Sequence, residues 1–171
     1  MTADGSTWTM ASGLYVNKEH QTRASLTATG TWLAKQRLLG NFNITYDPPS
    51  TGDPLYSTDA VDLIYSTLSE KPFDMAKAAG KYTGLWIPLE EVVMTITADG
   101  TITGLTARSC EFTGQAVANG PVAEGTVTFG GPPCQNGHAT VRGVIGVDGD
   151  TLYAAGFSSD KNQGLLFIGR R

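Results

Sequence analysis

The two cysteines of this 171-residue chain, Cys110 and Cys134, lie in one glycine-rich window. A disulfide between them needs no further residue, and closing a loop of this length stabilises a fold by roughly 3 kcal/mol. A zinc site would take His138 as a third ligand, but no fourth ligand follows at the usual spacing. A catalytic thiol with His138 as its base and a pair of buried free thiols are also compatible with the sequence. The pattern favours the disulfide, which indicates an oxidising compartment.

The acidic residues offer little that resembles a catalytic or calcium site. Glu90 and Glu91 are adjacent, and adjacent residues on a strand face opposite ways, so they cannot jointly flank a substrate. Asp148 and Asp150 surround a glycine between two alternating runs, which favours a hairpin turn over a calcium loop. The nucleophile elbow, the P-loop, the dinucleotide fingerprint and the HExxH pattern are all absent from the sequence. We therefore expect a non-enzyme with no catalytic residue, no metal and no cofactor.

An apolar stretch offers a candidate binding site for a partner protein. In "GLWIPLEE", residues 84–91, a proline interrupts the run between two predicted strands. An exposed apolar tip at such an interruption is typical of a protein contact. The predicted partner-binding residues are Leu85, Trp86, Ile87 and Leu89. The alternative for Trp86 is that its side chain fills the interior of a barrel.

Composition and charge exclude several classes of partner. The formal net charge is −4, and lysines and arginines are scattered, so a surface that follows nucleic-acid phosphates has no support. No apolar run approaches the ~20 residues of a membrane helix, so no transmembrane segment is expected. Met1 leads directly into the polar "TADGST", so the chain shows no export signal. A removed export signal and a cytoplasmic start are both compatible with this beginning.

Hairpins dominate the second half of the sequence. Asp99-Gly100 separates two alternating runs within residues 92–106, which is a strong hairpin signal. The same logic predicts hairpins that turn at 119–121, 148–150 and 158–164. In the first half, residues 25–34, 39–47 and 60–67 are predicted strands. Consecutive hairpins of this kind make a meander.

One segment departs from the strand pattern. Within residues 69–82, Phe73, Ala76 and Ala79 have helical spacing, and Gly80 is placed as a helix C-cap. The predicted fold is therefore all-β: an antiparallel meander of about ten strands that forms a barrel or a strongly curved sheet, with one short helix near 70–79. We expect a single domain over 1–171, with a flexible N-terminus at 1–7 and a helical bridge at 69–80 between two groups of strands.

Six short motifs occur in an order that resembles a known family. They are "WLAKQRLLGNFNITYD", "AAGKYTG", "ITADGTITG", "CEFTG", "VTFGGPPC" and "LYAAG…GLLFIGRR", collinear from about Trp8 to Arg171. This order resembles a family of small, uncharacterised, β-rich proteobacterial lipoproteins that are exported to the cell envelope. The resemblance implies that Cys110 and Cys134 are the paired cysteines of that family. It also implies that Gly80, Tyr82 and Gly84 open the second half.

The chain departs from this family pattern in two places. Ser109 stands where the family tends to have glycine before the first cysteine. Relatives also carry an additional glycine-rich strand region before the equivalent of Trp8. If those strands are missing, the sheet has an open edge, which favours a homodimer formed by pairing with a second chain.

These observations predict a non-catalytic protein-binding module, periplasmic or anchored to the outer membrane by a lipid in its native precursor. Its partner would be a protein of the cell envelope, whose identity the sequence does not give. One alternative is a periplasmic immunity or inhibitor protein that blocks a toxin or a hydrolase. A further alternative is a carrier that holds a small apolar ligand inside the barrel.

Overall fold

The computed structural model describes residues 2–4, 6–17, 22–46, 56–86, 90–160 and 163–171. Thirteen strands make up most of this part of the chain, which confirms the all-β, antiparallel fold class. The strands are β1 (Thr2–Asp4), β2 (Thr7–Asn17), β3 (Thr22–Leu33), β4 (Arg37–Tyr46), β5 (Tyr56–Ile64), β6 (Gly80–Trp86), β7 (Glu90–Ile96), β8 (Thr101–Thr106), β9 (Glu111–Asn119), β10 (Val122–Phe129), β11 (Thr140–Asp148), β12 (Thr151–Ser158) and β13 (Gly164–Arg170).

The chain forms two compact units, Met1–Ser66 and Thr67–Arg171, where the sequence analysis expected one domain. Strand pairing explains the division. Strands β1 to β5 form one sheet, and β6 to β13 form a closed barrel. Each set pairs in sequence order, and neither set includes a strand of the other.

The first unit is an antiparallel sheet with strand order β1-β2-β3-β4-β5. Strand β1 lies in the segment that was expected to be a flexible N-terminus, and it pairs with β2 from Thr2–Thr9 to Asp4–Thr7. Strand β2 itself was not predicted. The register between β2 and β3 shifts between Met10 and Gly13, and this irregularity breaks the alternation by which strands are recognised.

A tryptophan fixes the packing on one face of this sheet. Trp8 is buried, and its indole Nε1 donates a hydrogen bond to the carbonyl oxygen of Leu39 at 3.0 Å. Its ring lies over Gly30 and Gly40, where an added Cβ would overlap the indole. Gly30 and Gly40 pair across β3 and β4. A larger residue at either position would occupy the space of the indole ring.

The second unit is a closed eight-stranded barrel in the order β10-β11-β12-β13-β6-β7-β8-β9. Closure depends on pairing between β13 and β6, for example Phe167 with Trp86. The four predicted hairpins of the second half are confirmed. In three of their turns, Gly100, Gly120 and Gly149 adopt positive φ angles of 86°, 59° and 57°, as hairpin turns require of glycine.

Large aromatic side chains fill the barrel. The Trp86 ring centroid lies 5.1 Å from that of Phe129 and 5.5 Å from that of Phe112. Tyr82 and Phe167 are buried in the same core. A cavity of about 30 Å³ lies on the β10–β12 side, where Gly125, Gly143 and Gly156 contribute no side chains.

The helix predicted near 70–79 is shorter than expected. The structure has a 3-10 turn at Thr67–Glu70 and one four-residue helix, α1, at Met75–Ala78. Asp74 caps the start of α1 by accepting a hydrogen bond from the Lys77 N–H at 3.1 Å. The prediction of Gly80 as a helix C-cap is wrong, because Gly80 begins β6 and pairs with Ile96. Pairing of β6 with β7 overrides the local helical spacing at Gly80.

Candidate functional site

Alternation along the barrel strands separates an inner face from an outer face. On β12, Leu152 and Ala154 point inward and are buried, whereas Tyr153 and Phe157 point outward with 46% and 45% of their surface exposed. On β13, Phe167 is buried between the exposed Leu166 and Ile168. These two strands are therefore apolar on both faces, unlike a strand whose solvent-facing side chains are polar.

Register brings the outward apolar side chains together. Tyr153 pairs with Ile168, and Ile168 pairs in turn with Leu85 on β6. In the adjacent row, Val144 pairs with Ala155, and Ala155 pairs with Leu166. Directly paired residues on one face of an antiparallel sheet lie ~5 Å apart at Cβ, so they form one continuous surface. We call this surface the outer apolar band; its exposed members are Leu85, Val144, Tyr153, Phe157, Leu166 and Ile168.

Charged residues of both signs border the outer apolar band. Arg142 is paired with Phe157, and Glu91 is paired with Leu85. Arg170 lies on the outer face of β13, two residues beyond Ile168. An apolar centre with a charged rim is the usual composition of a protein–protein interface.

The other side of the barrel has the polar outer face expected for a solvated strand. The outward residues of β9 include Thr113 and Gln115, and those of β10 include Glu124 and Thr128. Two exposed apolar residues lie outside the outer apolar band: Val117 on β9 with 64% of its surface exposed, and Leu105 on β8 with 48%. Glu124 pairs with both Val117 and Val144 and therefore separates Val117 from the outer apolar band. Adjoining exposed apolar residues therefore occur on β11, β12, β13 and β6, whereas those on β8 and β9 are single residues.

The structure separates the four predicted partner-binding residues. Leu85 points outward with 52% exposure and belongs to the outer apolar band. Trp86, the next residue on β6, points into the barrel and is 5% exposed. Ile87 and Leu89 lie outside the described residues. The predicted apolar tip assumed an interruption at 84–91, whereas β6 continues to Trp86 and alternates to that point. Partner binding at this segment stays a prediction.

Cys110 and Cys134 form a disulfide, with their Cα atoms 4.5 Å apart. The bond joins the residue before β9 to the loop after β10, and both residues are nearly buried. The sulfurs are paired with each other, so neither a zinc site nor free thiols fit this form. His138, considered as a third ligand or a base, instead lies against Gly131, where an added Cβ would overlap the imidazole. Among the described residues, no group of three or more His, Cys, Asp or Glu side chains could hold a metal ion.

The acidic residues considered for chemistry have structural partners. A Glu90 carboxylate oxygen accepts a hydrogen bond from the Arg108 N–H at 2.9 Å. Asp150 accepts one from Arg171 Nε at 3.0 Å, next to the turn at Gly149. These contacts match the hairpin interpretation of the 148–150 segment.

The resolved pKa shifts also have local causes. A hydrogen bond from the Thr97 hydroxyl lowers the pKa of Asp99, and donors from Thr101 add to the effect. The Arg37 guanidinium lowers the pKa of Asp62 in the first sheet in the same way. Burial raises the pKa of Tyr82, whose hydroxyl donates to the Ala78 carbonyl oxygen at 2.8 Å. Each shift is accounted for by a turn, an ion pair or the core.

The outer apolar band was missed at the level of sequence. Its signal is the near-continuous apolar character of residues 152–157 and 165–168, where a half-solvated strand would alternate. That signal does not say which residues face outward. Only the closure of β13 on β6 adds Leu85 to the same surface.

No helix in the described part of the chain is both long and apolar enough to cross a membrane. Comparison with known proteins does not place the chain in a family: no family model matches it, and neither a curated protein nor a solved structure shows significant similarity to it.

Proposed function

We propose that this chain is a non-catalytic protein-binding module of the bacterial cell envelope, and that its barrel binds a partner protein through the outer apolar band. The observation that carries the proposal is the paired row Tyr153–Ile168–Leu85 on the outside of the barrel. Water-exposed apolar surface is unfavourable by roughly 25 cal/mol per Å², so a partner that covers this row gains affinity.

The composition of the outer apolar band favours a protein as the partner. Tyrosine and arginine are enriched among residues that dominate binding energy, and Tyr153 and Arg142 supply both types at this surface. Strand pairing holds the apolar anchors on a rigid barrel, so little conformational entropy is lost when they bind. The rim charges, Arg142 and Glu91, would select for a partner with complementary charges.

The disulfide supports the location in the envelope. Disulfides persist in the periplasm and at cell surfaces and are rare in the cytosol. The resemblance to exported lipoproteins supports the same compartment, either free in the periplasm or anchored to the outer membrane by a lipid. The lipid anchor remains part of the proposal.

Three other possibilities, a small-ligand carrier, an inhibitor and a homodimer, are supported to different degrees by the structure of the described residues. A carrier of a small apolar ligand needs a pocket of roughly 300 Å³ or more, whereas the cavity beneath Gly125, Gly143 and Gly156 measures about 30 Å³. An immunity or inhibitor protein would use the same outer apolar band, with a toxin or hydrolase as the partner. A homodimer through a sheet edge would use β1 or β5, the two edge strands of the first sheet.

A pull-down from envelope extract tests the proposal. The immobilised, oxidised chain is compared with a Tyr153→Ser/Ile168→Ser double variant, which removes two paired anchors from the outer apolar band. We expect one protein to be retained in fixed stoichiometry by the unmodified chain. Loss of two interface anchors typically weakens binding by at least tenfold, so the double variant should retain little of it.

Val117→Ser is the matched control, because Val117 is also an exposed apolar residue, and Glu124 on β10 separates it from Val144 of the outer apolar band. It should retain the partner as well as the unmodified chain does. A partner that the double variant retains equally well would place the binding surface elsewhere. A retained toxin or hydrolase whose activity falls on binding would identify the chain as an inhibitor.

A further inference from the structure

A short segment without strand structure lies at one end of the barrel. The turns of the β9–β10 and β11–β12 hairpins, at Gly120 and Gly149, are at this end, because β10 and β11 pair antiparallel. Residues 72–79, which contain α1, lead directly into β6. We call residues 72–79 the end segment. The residues that contact it belong, like the segment itself, to the second unit.

The helix in the end segment is too short to be stable by itself. α1 has four residues, whereas isolated helices shorter than about 12–15 residues are marginal in water. The Ala78 N–H donates a hydrogen bond to the Asp74 carbonyl oxygen at 2.9 Å. The Ala79 N–H donates to the Met75 carbonyl oxygen at the same distance. Contacts with the barrel must therefore supply most of the stability of the end segment.

Two side chains outside α1 cap its end. The last carbonyl oxygens of a helix have no partner within the helix. Arg171 Nη1 donates to the Lys77 carbonyl oxygen at 2.8 Å and to that of Ala79 at 3.4 Å. The Ala78 carbonyl oxygen, between them, accepts from the Tyr82 hydroxyl at 2.8 Å. Three successive carbonyl groups are thus bonded by side chains, without a C-cap glycine.

The same arginine also binds the β11–β12 turn. Arg171 Nε donates to an Asp150 carboxylate oxygen at 3.0 Å, and Nη2 donates to the Gly149 carbonyl oxygen at 3.4 Å. The guanidinium carbon lies 5.9 Å from the centroid of the Tyr82 ring, within reach of a cation–π contact. The guanidinium therefore connects the end segment to a barrel turn. A lysine ammonium lacks the planar array of donors that reaches both sets of acceptors.

The end segment buries little apolar surface. Its Phe73 and Met75 side chains pack against the core but are only partly buried, and Ala78 is the buried residue of α1. The Phe73 N–H donates to the Gly120 carbonyl oxygen in the β9–β10 turn at 2.7 Å. Regions with few buried apolar contacts open locally at a lower free energy than core strands. The end segment can therefore open while the strands remain paired.

We propose that the end segment is a lid on the barrel and that Arg171 is the latch that holds the lid closed. When the guanidinium leaves the carbonyl groups of α1, the lid opens as one unit and the eight-stranded ladder stays intact. Opening exposes Tyr82, whose hydroxyl then bonds to water in place of the Ala78 carbonyl oxygen. This conformational device is independent of partner binding, because the residues of the outer apolar band take no part in it.

Native-state hydrogen exchange of the full chain, followed by NMR at each amide, tests the proposal. The reporters of the lid are the hydrogen-bonded amides of Phe73, Ala78 and Ala79. The reporters of the barrel are the hydrogen-bonded amides of Ala116 and Phe129. In the unmodified chain we expect the lid amides to exchange more slowly than unprotected amides but faster than the barrel amides.

Variants of the two capping side chains should act on the lid alone. Arg171→Ala should speed up exchange of the lid amides by roughly tenfold or more, because hydrogen bonds to a charged group contribute more to stability than neutral ones. The barrel amides should change little. Arg171→Lys should restore only part of the protection. Tyr82→Phe removes the donor to the Ala78 carbonyl oxygen and should speed up exchange of the same lid amides.

Arg170→Ala is the matched control, because Arg170 is the adjacent arginine but lies on the outer face of β13. It should leave both sets of amides unchanged. Equal protection of the lid amides in Arg171→Ala and in the unmodified chain would overturn the proposal. An equal rise in lid and barrel amides would also overturn it, because the lid would then open only when the barrel unfolds. Unprotected lid amides in the unmodified chain would show that the lid is not held closed. Partner capture is a separate measurement, so this proposal and the proposed function can fail independently.

Discussion

Replacing Trp86 with alanine should destabilise the barrel strongly. The side chain is 5% exposed and packs against Phe112 and Phe129, with ring centroids 5.5 and 5.1 Å away. Truncation of a buried tryptophan loses its transfer free energy and leaves a cavity, which together cost about 4 kcal/mol. That is a large share of the ~5–15 kcal/mol that stabilises a typical domain. Leu85→Ala, one residue earlier but 52% exposed, should change the free energy of unfolding by about 0.5 kcal/mol or less.

Urea unfolding followed by far-UV circular dichroism measures both variants. With a slope of about 2 kcal/mol per molar urea, Trp86→Ala should lower the barrel midpoint by about 2 M. Leu85→Ala should leave the midpoint within about 0.3 M of the unmodified chain. If Leu85→Ala destabilised as much as Trp86→Ala, the assignment of inner and outer faces on β6 would be refuted. The outer apolar band would then lose Leu85.

Three further perturbations test the fold. Replacing Cys110 and Cys134 with serine should destabilise the barrel by about 3.5 kcal/mol in the chain-entropy model, and both sulfurs of the native protein should resist alkylation until reductant and denaturant are added. Gly146→Ala should be neutral or stabilising by up to about 1 kcal/mol, because an added Cβ meets no atom within 4 Å. Gly143→Ala, on the same strand, should destabilise the barrel, because its Cβ would overlap a carbonyl of β12. Thermal unfolding compares the two variants. The lowered pKa of Asp99 implies a contribution to stability that is present above its unfolded-state pKa and lost as pH falls through its folded-state pKa. In a plot of unfolding free energy against pH, Asp99→Asn should therefore show a shallower fall at acid pH than the unmodified chain. An equal fall in both proteins would contradict this prediction.

The hairpins of the second half could be predicted because their signals are local. Asp99-Gly100 and the 148–150 turn stand between alternating runs, and the positive φ angles of Gly100 and Gly149 are what such turns require. The disulfide was the favoured pairing for a similar reason, since it required no residue beyond the two cysteines.

The remaining features depend on contacts between distant parts of the chain. The helix prediction failed at Gly80 because pairing with Ile96 draws that residue into β6. In the sequence, Leu85 and Trp86 form one apolar cluster, but in the structure they lie on opposite faces of β6. The outer apolar band depends on the register of β13 against β6. These two strands are about eighty residues apart in the chain, so no local sequence pattern predicts that they pair. The division into two units follows from the same pairing.

Site-specific photo-crosslinking tests the central claim most directly. A photoreactive amino acid is placed at position 168 in the outer apolar band and, in a separate chain, at position 117 on the polar side of the barrel. Both chains are illuminated in envelope extract. We predict that position 168 crosslinks to one protein, the same one that the pull-down retains, and that position 117 does not. A crosslink from position 117 with none from position 168 would contradict the claim that the barrel binds its partner through the outer apolar band.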